Sequence, residues 1–212
     1  MFLHSWIRVG NVRRKVNPLD KSTVIVIPTR GMLHYTFVGA LLQLRAPLNQ
    51  PRQIVFGAGM EVADSYNGLV QLALEKYEPR YIMTLEDDNL PPPTAHLTLL
   101  GTIDGYAGIS GLYHSKTEER APLVFDHDMR MLDTTGEHGV KKVGGIPMGC
   151  ALWKASIFRD IEPPWFETID DEARRWTHDL VWCERLAKHG LEVAVNLDLK
   201  VGHLDVTSGV LY

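Results

Sequence analysis

The chain has 212 residues, 45% hydrophobic and 23% charged, which suits one large domain with a buried core and excludes a disordered or coiled-coil chain throughout. Two cysteines in so long a chain, Cys150 and Cys183, with no CxxC pair, exclude a disulfide-stapled miniprotein and read as reduced core thiols. The net charge of −4 is uneven: residues 1–30 carry Arg8, Arg13, Arg14, Lys15, Lys21 and Arg30 against Asp20, a balance of +5, so residues 31–212 carry −9.

No apolar stretch approaches the ~20 residues of a spanning helix and no signal-peptide pattern opens the sequence, so a soluble, cytoplasmic protein without a membrane span is expected. Residues 1–21 read as a basic arm, either a solvated terminus or a contact for nucleic-acid or membrane phosphates, and residues 22–212 as a single domain.

Residues 23–27 form a β-branched run without polar alternation, the pattern of a strand covered on both faces, and Pro28 is expected to end it. Residues 31–44 follow as a helix closed by Pro47, and residues 53–56 as a second strand. Residues 62–77 place Val62, Tyr66, Leu69, Leu72, Ala73 and Tyr77 near 3.6-residue spacing, an amphipathic helix, and residues 80–85 are the third strand. This β-α-β-α-β order implies a parallel half with helical crossovers. Beyond it, a helix over 94–103, short strands at 107–113, 123–125 and 148–153, a helix over 175–189 capped by Gly190, and strands at 192–196 and 200–204 make the rest of the sheet mixed. The expected fold is α/β, a mainly parallel central sheet flanked by helices, with no internal repeat.

The apolar third strand runs directly into Glu86-Asp87-Asp88-Asn89 before Leu90 and three prolines. Ligands of open α/β sheets bind at the carboxyl ends of strands, and adjacent carboxylates there repel one another unless a cation joins them. A hard divalent ion such as Mg²⁺ or Mn²⁺ takes one or two carboxylates plus substrate phosphates. Strand alternation sets Glu86 and Asp88 on one side and Asp87 on the other. A solvated acidic loop is the plain alternative.

With the run Thr23-Val-Ile-Val-Ile-Pro-Thr-Arg30, the helix start Asp64-Ser-Tyr-Asn-Gly-Leu69, the acidic strand end, the segment Thr177-His-Asp-Leu-Val-Trp-Cys-Glu-Arg-Leu186 and the late Asn196-Leu-Asp-Leu-Lys-Val-Gly-His203, the sequence resembles the nucleotide-sugar glycosyltransferases of the GT-A fold, family-2-like and of DxD type. The resemblance spans about residues 22 to 205. It implies a donor pocket at Pro28, Thr29, Arg30, Asn67, Glu86 and Asp87, a divalent cation (Mn²⁺ or Mg²⁺) on Asp88 and His203, and Asp179 as the base of an inverting transfer from a UDP-sugar or similar nucleotide sugar. Three positions depart from the family pattern: the motif begins with Glu86, Tyr66 replaces a common Arg, and His178 precedes Asp179 in place of Glu.

Thr177 is placed to cap its helix, which sets Asp179 in a first turn where the macrodipole keeps a carboxylate ionised. Trp182, Cys183 and Leu186 fall on the core face. The glycine-rich segment 144–150, Trp153 and the 163–166 cluster serve either as acceptor-side surface or as core and turn, and residues 115–120 and 134–139 read as mobile loops suited to a lid. A glycan or a hydroxylated base in phage-type DNA is the expected acceptor, the second because of the basic arm. The rival readings are a non-catalytic nucleotide- or sugar-binding module and a nucleotidyltransferase, which would need a glycine-rich loop that Pro28-Thr29-Arg30-Gly31 does not supply.

Overall fold

The computed structural model describes residues 22–212, apart from 49, 51 and 172–174, together with the backbone of an antiparallel strand pair, β1 (Trp6–Val9) and β2 (Val12–Lys15). The side chains of the expected basic arm, residues 1–21, lie outside the described residues. In chain order follow β3 (Thr23–Thr29), α1 (Tyr35–Gln43), β4 (Arg52–Ala58), α2 (Val62–Tyr77), β5 (Tyr81–Leu85), β6 (Asn89–Leu90), α3 (Ala95–Thr102), β7 (Gly108–Leu112), β8 (Val140–Val143) and β9 (Cys150–Lys154). The remainder is α4 (Ile157–Asp160), β10 (Ile169–Asp170), β11 (Arg175–Trp176), α5 (His178–Lys188), β12 (Val193–Lys200) and β13 (Gly202–His203).

Seven strands form the central sheet in the order β4-β3-β5-β9-β7-β12-β8. Five run the same way; β9 and β8 oppose their neighbours. The sheet is therefore mixed and mainly parallel, as the sequence suggests.

Alternation along the buried strands divides the core into two layers. Val24 and Val26 of β3, Ile82 of β5 and Trp153 of β9 face one side, where they meet Tyr66, Leu69 and Val70 of α2 and Trp182 and Leu186 of α5. Ile25, Ile27, Met83, Leu85 and Leu152 face the other, against Phe37 and Leu41 of α1 and Leu99 of α3. Strands covered on both faces need no polar alternation, which is why β3 and β5 read as continuous apolar runs.

Several boundaries differ from the sequence reading for local reasons. Pro28 does not end β3: pairing with β5 stops at Val26↔Thr84, so Pro28 sits opposite Gly57 of β4 alone and its missing N–H interrupts no second ladder. The first helix begins at Tyr35 rather than residue 31, because Gly31 has φ +109° and the His34 side chain caps the helix by accepting from Thr36 N. Residues 123–125 make only isolated bridges, from Phe125 to Met131 and Gly145. Residues 175–176 pair with β10, so α5 starts at His178; it stops at Gly190, whose φ of +70° is the left-handed turn expected there. The expected strands at 192–196 and 200–204 are instead one strand, β12, whose register shifts after Asn196, and the short β13. Trp153, Trp165 and Phe166 are all buried, so these three are core and not acceptor-side surface; the stack of Phe158 on Trp182, with centroids 5.1 Å apart, belongs to the same core.

His96 of α3 is fully buried under β3, with Nε2 3.0 Å from Thr23 Oγ1. Burial, reinforced by the charge of Arg52, lowers its pKa from 6.5 to about 4. A depressed base binds fewer protons in the folded than in the unfolded state, so its contribution is full above pH 6.5 and is lost as pH falls toward 4. Urea unfolding of wild type and His96→Gln at pH 7 and pH 4 should show the wild type losing more stability over that interval, by about 3 kcal/mol at most.

Candidate functional site

β5 is buried at all five positions, and the chain emerges from it at Glu86 into a tight turn closed by Asn89 N donating to Glu86 O. Because β3 and β5 part company after Val26, the segments that continue them diverge and leave a cavity of about 370 Å³ at their carboxyl ends. Pro28, Thr29 and Arg30 form one wall and Glu86, Asp87 and Asp88 another, with Met60, Val62 and His178 completing the lining.

Glu86 leans toward the α2 face. Its Oε1 accepts from the Tyr66 hydroxyl at 3.4 Å and lies 3.9 Å from His178 Nε2. Burial, then repulsion from Asp88 and Asp179, pushes the Glu86 carboxyl up to about 8, so it carries a proton at neutral pH. Burial likewise lowers the pKa of His178, whose Nε2 makes no hydrogen bond.

Asp88 turns toward the last strand. β13 pairs with β6 in the register His203↔Asn89, and Leu204 N donates to Asp88 O at 2.7 Å. This brings His203 Nε2 to 3.8 Å from Asp88 Oδ1, a buried oxygen with no hydrogen-bond partner. The other ring nitrogen, Nδ1, is 2.7 Å from the carbonyl of His114 and donates to it, which leaves the lone pair on Nε2 facing Asp88. Burial keeps His203 below its ordinary pKa and therefore neutral, the form that ligates metals. Two ligands of one ion, each bound at ~2.1 Å, can stand up to about 4 Å apart, so the pair fits a shared divalent cation. Among the described residues no group of three or more His, Cys, Asp or Glu side chains is gathered as a metal cage. A cation held here draws its remaining ligands from substrate oxygens and water.

Close backbone approach makes this arrangement possible. Gly149, leading into β9, accepts from Glu86 N and donates to Tyr113 OH at 2.8 Å. A Cβ on it would stand 2.1 Å from Asn89 Oδ1 and 2.4 Å from Tyr113 OH, so only glycine fits.

Asp179 lies in the first turn of α5, next to His178, where its Oδ1 accepts from Thr177 Oγ1 and from Leu180 N at 2.9 Å. The Thr177 hydroxyl is thereby spent on Asp179 and caps no backbone N–H. Asp179 does not line the cavity itself, although its charge reaches Glu86 and Tyr66. Asn67 is placed differently from the expected donor pocket: its Oδ1 accepts from Trp165 N at 2.8 Å and Phe166 N at 3.1 Å, and its Nδ2 donates to Phe166 O at 2.8 Å. It clamps the 165–166 segment onto α2.

Besides the apolar Met60 and Val62, Lys116 and His178 stand at the site without having been read as site residues in the sequence. Lys116 comes from the loop after β7 and places Nζ 2.5 Å from Asp88 Oδ2; nothing in its spacing from the acidic run signals the contact. His178 is visible beforehand as a departure from the family pattern, and its neighbour Asp179 on a helix start is the signal that could have placed it.

No family model and no curated protein sequence matches this chain. Solved structures do. A197 from STIV is similar with a TM-score of 0.68 and 18% identity, over 90% of this chain and 92% of that one. GalNAc-T7, solved with UDP, GalNAc and Mn²⁺, is similar with a TM-score of 0.61 and 10% identity, over 88% of this chain and 44% of that one. At these identities the likeness establishes the fold, a GT-A-like mixed α/β sheet.

Replacing Asn67 by Ala strands two backbone N–H groups and one carbonyl. Denaturant unfolding of Asn67→Ala should show a loss of about 2–3 kcal/mol, and an unchanged midpoint would contradict the clamp.

Proposed function

We propose that this chain is a metal-dependent glycosyltransferase that moves a sugar from a nucleotide-diphosphate sugar, a UDP-sugar, onto an acceptor hydroxyl with inversion. The observation that carries the reading is the pairing of Asp88 with His203 at the mouth of a strand-end cavity: a partnerless carboxylate oxygen opposite an imidazole nitrogen with a free lone pair. The GT-A-like fold supports it, as does the UDP and Mn²⁺ of the GalNAc-T7 structure, which suggests the same donor class here.

In this reading the donor's nucleotide lies against Pro28, Thr29 and Arg30, with Glu86 or Asp87 on its ribose and the Arg30 guanidinium available to phosphate. Asp88 and His203 hold Mn²⁺ or Mg²⁺. Bound there, the cation supplies the positive charge that a departing diphosphate requires. Asp179 takes the proton of the acceptor hydroxyl while the hydroxyl oxygen bonds to the anomeric carbon and the carbon–diphosphate bond breaks. The acceptor is a glycan hydroxyl or the hydroxyl of a modified DNA base, and the latter would draw on the basic residues 8–21. Among the described residues no helix is long and apolar enough to cross a membrane.

Release of free nucleoside diphosphate from a panel of nucleotide sugars, with Mn²⁺, with Mg²⁺ and with chelator, tests the proposal. Slow hydrolysis of one donor, abolished by chelator and reduced about 100-fold or more in Asp88→Ala, is expected. Release that survives chelator and Asp88→Ala, or no release and no metal-dependent thermal stabilisation by any nucleotide, overturns it.

A further inference from the structure

Asp88 is shared between two partners of different kind. Its Oδ1 faces His203 Nε2 without a hydrogen bond, while its Oδ2 is taken by the Lys116 ammonium at 2.5 Å. The side chains are 15% exposed for Asp88 and 27% for Lys116, so water screens the contact only in part. A divalent ion joining Asp88 to His203 would stand beside that ammonium, and one carboxylate charge cannot neutralise both.

The segment that carries Lys116 is held largely by its own hydrogen bonds, with Arg120 over the Tyr212 ring as an outside contact. Ser115 N donates to Ala121 O at 2.8 Å, Arg120 N to Thr117 O at 3.1 Å and Ala121 N to Ser115 Oγ at 3.1 Å, so the turn 115–121 satisfies much of its own backbone. Its base is pinned by Leu123 N donating to Tyr113 O. Neither Lys116 nor its neighbours in the turn belong to either core layer, so moving the ammonium opens no cavity.

We propose that Lys116 is a tethered counter-cation: its ammonium neutralises Asp88 in the cation-free protein, and a divalent ion gains the Asp88–His203 site only by displacing it. The inference rests on the reading of that pair as a cation site. It makes Lys116 a positioning residue whose attachment weakens intrinsic metal affinity and couples metal entry to release of the 115–121 turn.

The test is Mn²⁺ binding without donor, followed by the electron paramagnetic resonance signal of free Mn²⁺, in wild type, Lys116→Met, Lys116→Arg and Lys142→Met. Lys142 pairs with Glu192 away from the site and controls for the loss of one positive charge. Lys116→Met should bind Mn²⁺ about tenfold more tightly than wild type, with Lys116→Arg and Lys142→Met within roughly twofold of it. Equal or weaker binding by Lys116→Met, or equal tightening by Lys142→Met, overturns the tethered role and leaves the cation site standing. Absence of Mn²⁺ binding in all four proteins overturns the cation site and the tether with it.

Discussion

Negative charge at the end of a buried strand has to be answered by whatever the fold brings to it, and in this protein much of the architecture around the cavity is that answer. Three devices meet the acidic run. A proton, retained because of burial and the nearby charges of Asp88 and Asp179, neutralises Glu86. An ammonium neutralises Asp88, and a neutral imidazole stands opposite its free oxygen. The partners come from α2, from the loop after β7, from β13 and from the start of α5, elements spread over most of the chain.

Their convergence follows from the sheet. The early separation of β3 from β5 opens the crevice, and insertion of the antiparallel β9 beside β5 brings Gly149 against the emerging backbone of Glu86. Gly149 has no side chain to keep Asn89 and Tyr113 away, so β6 can lie where β13 reaches it. The apolar layers on either side hold these strand ends in place, while the polar work is done at the rim.

Much of this was legible in the sequence, and the reasons for the rest are local. Residues 23–27, 62–77 and 81–85 announced themselves because fully buried strands and an amphipathic helix leave strong periodic or continuous apolar signals. β8 went unseen because Val-Lys-Lys-Val is a four-residue edge strand with charge at its centre, and β6, β10 and β11 are too short to carry a period. The strand-end carboxylates were recognisable from the apolar run before them. Lys116 was not, since its contact with Asp88 depends on where a loop returns in space. Asn67 looked like a ligand contact because an Asn on a helix start near a pocket carries no sign of the backbone it will bind; its true partners, residues 165 and 166, lie far away in sequence.

The β6–β13 pairing also orders events in time. Asp88 is synthesised long before His203, and at typical elongation rates the interval is on the order of ten seconds. Throughout it, the acidic turn exists without the strand that covers it, and the contact linking them is among the most distant in sequence that the fold contains. Such pairings pay their loop-closure entropy late. The central sheet waits almost as long, because its strand β12 ends only three residues before His203, so the core and the acidic end close together, and a folding defect confined to β13 would leave the sheet paired and the acidic turn uncovered.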